Sequence, residues 1–216
     1  MKILFIGDVV GKSGRRALRR FLPELQDETE ADLTVVNAEN AAGGFGVTAN
    51  VLEEFLEQSE IDVLTSGNHI WDKREALDLI QDEPRLLRPH NYPEDTPGSG
   101  WIVATASNGV RVGVLNIMGT VFMHPTLDCP FSSANLAIEK KPSDVQAVLV
   151  DFHAEATSEK VAMGWYLDGR VSAVVGTHTH VPTADERVLP QGTAHISDVG
   201  MTGCYNSVIG METAGV

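Results

Sequence analysis

Cysteine is almost missing from this sequence: Cys129 and Cys204 are the only two among 216 residues, with no CxxC or zinc-finger spacing. That leaves no disulfide framework and no thiolate zinc site, and two free thiols suit a reducing, cytoplasmic compartment. Long apolar runs are missing as well. The N-terminal run from Ile3 to Ile6 is soon interrupted by Asp8, and nothing approaches the ~20 apolar residues that span a bilayer, so no membrane partner is expected. Positive charge is scarce, with 16 basic side chains against 30 acidic ones and a formal net charge of −14. Such a field repels phosphate backbones at long range, which argues against DNA or other extended nucleic acid as a partner. A local cationic site, such as a metal centre, can still hold a phosphate. Internal repeats and low-complexity tracts are also absent. What remains is ordinary globular material, 43% hydrophobic and 21% charged, expected to form one domain over residues 1–216 with a sizeable core.

Short apolar runs alternate with helical patterns. KILFIG (2–7), LTVVNA (33–38) and IDVLTSG (61–67) read as buried strands. Helices are expected over Arg15–Gln26, around Val51–Leu56 with Thr48 or Asn50 as its start, and over roughly Lys73–Gln81. This β-turn-α rhythm predicts an α/β fold with a mostly parallel sheet covered by helices on both faces. RPHNYPEDTPGSG (88–100) is a loop, and WIVATA and GVRVGVLNI, separated by Ser107-Asn108, predict a hairpin. A long loop from Met118 to Ser132 leads to a helix near Ser133–Lys141. The rhythm then resumes with QAVLVDF (146–152), a helix near Ser158–Leu167 and SAVVG (172–176), with short strands around Asp185–Val188 and His195–Ser197.

The first turn, GDVVGKS (7–13), looks like a phosphate-cradling loop, but its glycines enclose three residues where the Walker pattern requires four. Lys12 and Ser13 therefore read better as the opening of a helix. In open α/β sheets, ligands bind outside the carboxyl ends of the strands. Here those ends deliver Asp8, then Glu39-Asn40, then Asn68-His69, then His153, then His178 and His180. Taken singly, each has an ordinary explanation: Asp8 as a turn former, Glu39-Asn40 as a solvated loop, Asn68 as a helix cap, His153 as a satisfied core histidine. His178-x-His180 is stronger, since alternate residues on extended chain face the same side. The convergence of carboxylates, carboxamides and imidazoles at one edge points to a metal site. The set is too large for one tetrahedral zinc. It suits two ions roughly 3.5–4 Å apart, which can clamp both oxygens of an in-line displacement at phosphorus.

The motifs GDVVGKSGR (7–15), NAENAAGGFG (37–46), SGNHIWD (66–72), DFHAEATSEK (151–160), GTHTHVPTAD (176–185) and DVGMTG (198–203) occur in this order and span nearly the whole chain. In them the sequence resembles the calcineurin-like metallophosphoesterases, and more closely their YmdB-like branch. That resemblance implies the calcineurin-like α/β fold, with its metal site at the carboxyl ends of the strands. It also implies that Asp8, Asn40 and His180 hold one ion, that Asn68, His153 and His178 hold the other, and that Glu39 bridges them. His69 would be the general acid, and a metal-bridging hydroxide the nucleophile. Two iron (Fe2+/Fe3+) or Mn2+ ions and a small phosphodiester, such as a cyclic nucleotide of the 2′,3′-cyclic AMP type, are the implied cofactors and substrate.

Val10 occupies the place where the wider superfamily has histidine, a change typical of the YmdB-like branch, with Asn40 able to fill the vacated coordination position. Two features depart from the branch itself, and the first is Thr120, which stands where the branch commonly carries arginine. The chain stops at Val216, where relatives continue for some tens of residues, but beyond all the metal motifs. A regulatory protein that binds metal and a nucleotide or RNA end with little turnover is the competing reading. Trp101, Phe122 and Phe131 lie in or near loops and suit an interface between copies as well as a core, so homo-oligomerisation stays open.

Overall fold

Three parallel strands, Ile3–Ile6 (β1), Leu33–Asn37 (β2) and Val63–Thr65 (β3), form one sheet in the order β1-β2-β3. The structure is a computed structural model that describes residues 1–58 and 61–216. A second, six-stranded sheet is built from Trp101–Thr105 (β4), Arg111–Met118 (β5), Ala147–His153 (β6), Ala173–Thr177 (β7), Arg187–Val188 (β8) and Ala194–Ile196 (β9). Its order is β4-β5-β6-β7-β9-β8; β5, β6, β7 and β9 run parallel, while β4 and β8 pair antiparallel at the two edges. The helices are Gly11–Thr29 (α1), Ala49–Gln58 (α2), Ala76–Asp82 (α3), Pro130–Glu139 (α4) and Thr157–Tyr166 (α5).

The expected α/β class with mostly parallel strands is present, but helices do not cover both faces of a sheet. The two sheets instead stack on each other, and each carries helices on its outer face alone. Strand periodicity produces this arrangement directly. Leu33 and Val35 of β2, Val112 and Val114 of β5 and Leu149 of β6 meet in the layer between the sheets. Their alternates Val36, Leu115, Ile117, Val148, Val150 and Phe152 face the helices. Both faces of each inner strand are apolar, so its run reads the same whether a helix or a second sheet covers it. α1 begins at Gly11 and places Lys12 and Ser13 in its first turn, earlier than the expected Arg15. It buries Leu18 and Leu22 but leaves Phe21 and Leu25 exposed. α4 likewise starts early, with Pro130 in its first turn, a position where a missing N–H costs nothing.

The parallel strands bring their carboxyl ends to a common rim, which the chain's last third closes. Val10 N–H donates to the carbonyl of Thr202 and Thr202 N–H to that of Asp8, at 2.9 and 2.8 Å. The backbones approach so closely that a Cβ on Gly7 would collide with the Gly200 carbonyl. The segment DVGMTG thereby fixes the turn that carries Asp8. Among the described residues no helix is long and apolar enough to cross a membrane.

Candidate metal centre

All eight residues singled out in the sequence meet at this rim, in two neighbouring groups. In the first, His180 Nε2 lies 3.3 Å from Asn40 Oδ1 and 3.8 Å from Asp8 Oδ1. In the second, His153 Nε2 lies 3.0 Å from Glu39 Oε1, 3.2 Å from Asn68 Oδ1 and 3.1 Å from His178 Nδ1. His153 Nδ1 is 3.9 Å from Asp8 Oδ1, which links the groups. Glu39, His153 and His178 each offer a ligand atom, and these atoms all lie within 4.8 Å of one another. His69 stands beside them, its backbone N–H donating to Glu39 Oε2 at 3.2 Å. Space for the His153 ring exists because residue 67 is glycine; a Cβ there would strike that ring and the Glu39 carboxylate.

In His153, His178 and His180 the ring nitrogen that faces away from the cluster already has a partner, which assigns the tautomers. His153 Nδ1 donates to Thr177 Oγ1 at 2.9 Å, and that hydroxyl donates onward to Asp151 at 2.7 Å. His178 Nε2 faces Glu155 at 3.2 Å, and His180 Nδ1 donates to the Ile209 carbonyl at 2.8 Å. Their free nitrogens, His153 Nε2, His178 Nδ1 and His180 Nε2, therefore present lone pairs to the cluster. Asn40 donates through Nδ2 to the Gly44 carbonyl, which turns its Oδ1 inward as well. His69 Nδ1 is paired with Asp72 at 2.8 Å.

Lone pairs facing lone pairs at about 3 Å repel unless a cation lies among them. Asp8 Oδ1 and Glu39 Oε1 are buried and accept no hydrogen bond from the described residues. Burial pushes the Asp8 carboxyl up to about 7, opposed by the field of His153 and reinforced by Glu39. Glu39 is raised too, burial outweighing the histidines around it. Burial holds His153 and His178 down at about 4, so both imidazoles are neutral at pH 7, the form a metal requires. Orphaned carboxylate oxygens, neutral imidazoles and inward amide oxygens make a donor set that fits a metal ion.

His178 and His180 do converge on the rim, but not by alternation along extended chain. Both have positive φ, 100° and 64°, so the chain kinks at each of them just beyond β7, a strain of the kind found at functional sites. A buried ion pair lies behind this turn: Lys160 Nζ contacts Asp198 Oδ2 at 2.6 Å, and that oxygen also accepts the N–H and hydroxyl of Thr179, the residue between the two histidines. Lys160, Asp198, Thr177 and Glu155 escape sequence reasoning. Asp151 stands at a strand end, where the sequence alone assigns it no role; it accepts from Asn37, Thr65 and Thr177, and burial pushes it up to about 7. A signal exists for Lys160, a lysine on a helix face that must pack against a sheet. Thr120 turns back onto the buried Glu159 carboxylate through its N–H, at 2.9 Å, and its hydroxyl.

Above the cluster opens a cleft of about 580 Å³. Glu39, Asn40, His69, His178 and His180 line its polar side, and Phe45, Ile209 and Met211 its apolar side. Phe45 meets the His69 ring edge-on at 4.8 Å.

Known proteins share both the sequence and the architecture. The 2′,3′-cyclic-nucleotide 2′-phosphodiesterase of Bacillus subtilis is 51% identical over 212 residues, covering 98% of this chain and 79% of that protein. A solved Thermus thermophilus protein superposes with a TM-score of 0.92 at 44% identity, covering 99% of this chain and 82% of the other. A crystal structure described as a novel phosphatase from Mycoplasma pneumoniae gives 0.90 at 38% identity, covering 97% and 75%. Residues 4–216 match the family described as YmdB-like protein. With that match over almost its entire length, this chain belongs to the YmdB-like family.

Proposed function

We propose that the chain is a metal-dependent phosphodiesterase with a dinuclear centre, acting on small phosphodiesters of the 2′,3′-cyclic nucleotide class. The observation that carries this reading is the pair of orphaned, buried carboxylate oxygens of Asp8 and Glu39 facing neutral imidazoles and amide oxygens. The name of the Bacillus subtilis relative supports the substrate class. Asp8, Asn40 and His180 would hold one ion, Asn68, His153 and His178 the other, with Glu39 between them; iron and manganese both suit such donors. When bound, such ions supply Lewis acidity toward phosphoryl oxygens and activate a water for attack.

The chain's own residues perform the rest. Thr177, Glu155 and the Ile209 carbonyl hold the three ligand histidines in the tautomers that face inward. His69 holds a proton for the departing alkoxide, and Asp72 on Nδ1 stabilises the imidazolium that donates it. Phe45, Ile209 and Met211 offer an apolar wall for a base, with the phosphate on the polar side of the cleft.

Metal analysis followed by hydrolysis of a generic phosphodiester and of 2′,3′-cyclic AMP tests this reading. Turnover that requires metal, disappears with chelator and collapses in His69→Ala without loss of metal supports it. A metal-loaded wild type inert toward every phosphodiester tried contradicts it.

A further inference from the structure

Lys12, Arg15, Arg16, Arg19 and Arg20 place five of the chain's 16 basic residues within nine positions, and no window of nine elsewhere in the chain holds more than two. No acidic residue interrupts the stretch between Val9 and Pro23. On α1 the spacing sets Lys12, Arg15, Arg16 and Arg19 along one face, about 10 Å from end to end at the helical rise. They line a surface groove of about 390 Å³ with Glu54 as the single acid. Glu54 engages Arg15 at 2.9 Å and Arg19 at 3.9 Å. Lys12 and Arg16 are exposed, and neither forms an ion pair with another described residue.

This strip adjoins the metal cleft. Val10, two residues before Lys12, lines the cleft, as do Asn40, Gly43 and Gly44. Gly11 N–H donates to the Asn40 carbonyl at 2.9 Å, and Arg15 reaches over the same loop to the Ala41 carbonyl at 2.5 Å. A chain leaving the cleft past the loop 40–44 therefore arrives on cations, although the molecule as a whole carries a net charge of −14.

We infer that the α1 strip is a docking ledge for the backbone phosphates of a single-stranded oligoribonucleotide whose 3′ end occupies the metal cleft. The inference rests on the phosphodiesterase reading for what happens in the cleft, but the ledge itself is a binding surface. A 2′,3′-cyclic phosphate terminates an RNA strand at its 3′ end, so the strand continues from the ribose 5′ oxygen, away from the metals. A free cyclic mononucleotide has no phosphate to place on the ledge.

Two probes separate the possibilities: a short oligoribonucleotide ending in a 2′,3′-cyclic phosphate, compared with 2′,3′-cyclic AMP, and binding of a fluorescent 3′-phosphorylated oligoribonucleotide measured by anisotropy. With two phosphate contacts on single-stranded RNA, raising salt from about 50 to about 200 mM weakens oligonucleotide binding about sevenfold. The double variant Lys12→Ala/Arg16→Ala loses that salt sensitivity and raises KM for the oligonucleotide, while turnover of 2′,3′-cyclic AMP is unchanged. An oligonucleotide that binds no more tightly than the mononucleotide overturns the ledge, as does a double variant with unaltered binding. If wild type hydrolyses neither probe, the phosphodiesterase reading fails, and the anisotropy measurement still decides the ledge.

Discussion

Two sets of buried charge lie on either side of the His178–His180 turn, and they differ in how they are satisfied. Behind the turn, Lys160 and Asp198 neutralise each other, and both Asp198 oxygens accept hydrogen bonds, Oδ1 from Gly200 N–H at 2.8 Å. In front of it, Asp8 and Glu39 are equally buried, yet each keeps an oxygen that accepts no hydrogen bond from the described residues. The chain could complete the first set from its own residues and left the second to be completed from outside. Buried charge that is closed within the fold is structural, and buried charge left open is a site.

The largest expected effect comes from closing the open set. Asp8→Asn or Glu39→Gln removes a carboxylate one of whose oxygens accepts no hydrogen bond from the described residues, so metal content and phosphodiester turnover fall to background. The metal-free variants unfold at the same temperature as metal-free wild type or higher, measured by calorimetry. His69→Ala retains metal and loses about 10²–10⁴-fold in kcat, the usual range for a general acid. Opening the closed set has the reverse pattern. Lys160→Met leaves Asp198 buried and unpaired, and costs about 3–5 kcal/mol of stability in denaturant titrations. Thr177→Val breaks the relay from His153 to Asp151 and lowers metal affinity by about 10–100-fold with little change in the fold. The smallest effect is on protons. Asp8, raised to about 7, must deprotonate to bind metal, whereas His153 and His178, held near 4, are already neutral. Metal affinity therefore rises with pH through about 7 and flattens above it, with proton release visible by calorimetry in buffers of different ionisation enthalpy.

The convergence of the candidate donors was legible in the sequence because one topological rule governs it: parallel strands deliver the residues just beyond their carboxyl ends to one rim. Asp8, Glu39, Asn40, Asn68, His153, His178 and His180 all sit at or just past strand ends, and no contact had to be known to find them. The strands themselves were legible from their apolar runs. Their covering was not, since Val35 between the sheets and Val36 under the helices are equally apolar. Nor were the supporting partners. Lys160 meets Asp198 across 38 positions and Asn37 meets Asp151 across 114, distances over which neither composition nor period carries information. The kinks at His178 and His180 run against the intrinsic preference of non-glycine residues, so local reasoning makes that segment extended. Such departures from local rules concentrate at functional sites.

The comparison between closed and open charge is tested most directly by the metal content of the purified chain after exposure to Mn2+ or Fe2+ at pH 8, wild type beside Glu39→Gln. The expected result is about two ions per wild-type chain and a marked loss in the variant, with the two metal-free proteins equally folded. A wild type that takes up no metal, or a Glu39→Gln protein that binds as much as wild type, would contradict the claim that these carboxylates are left open for a cation.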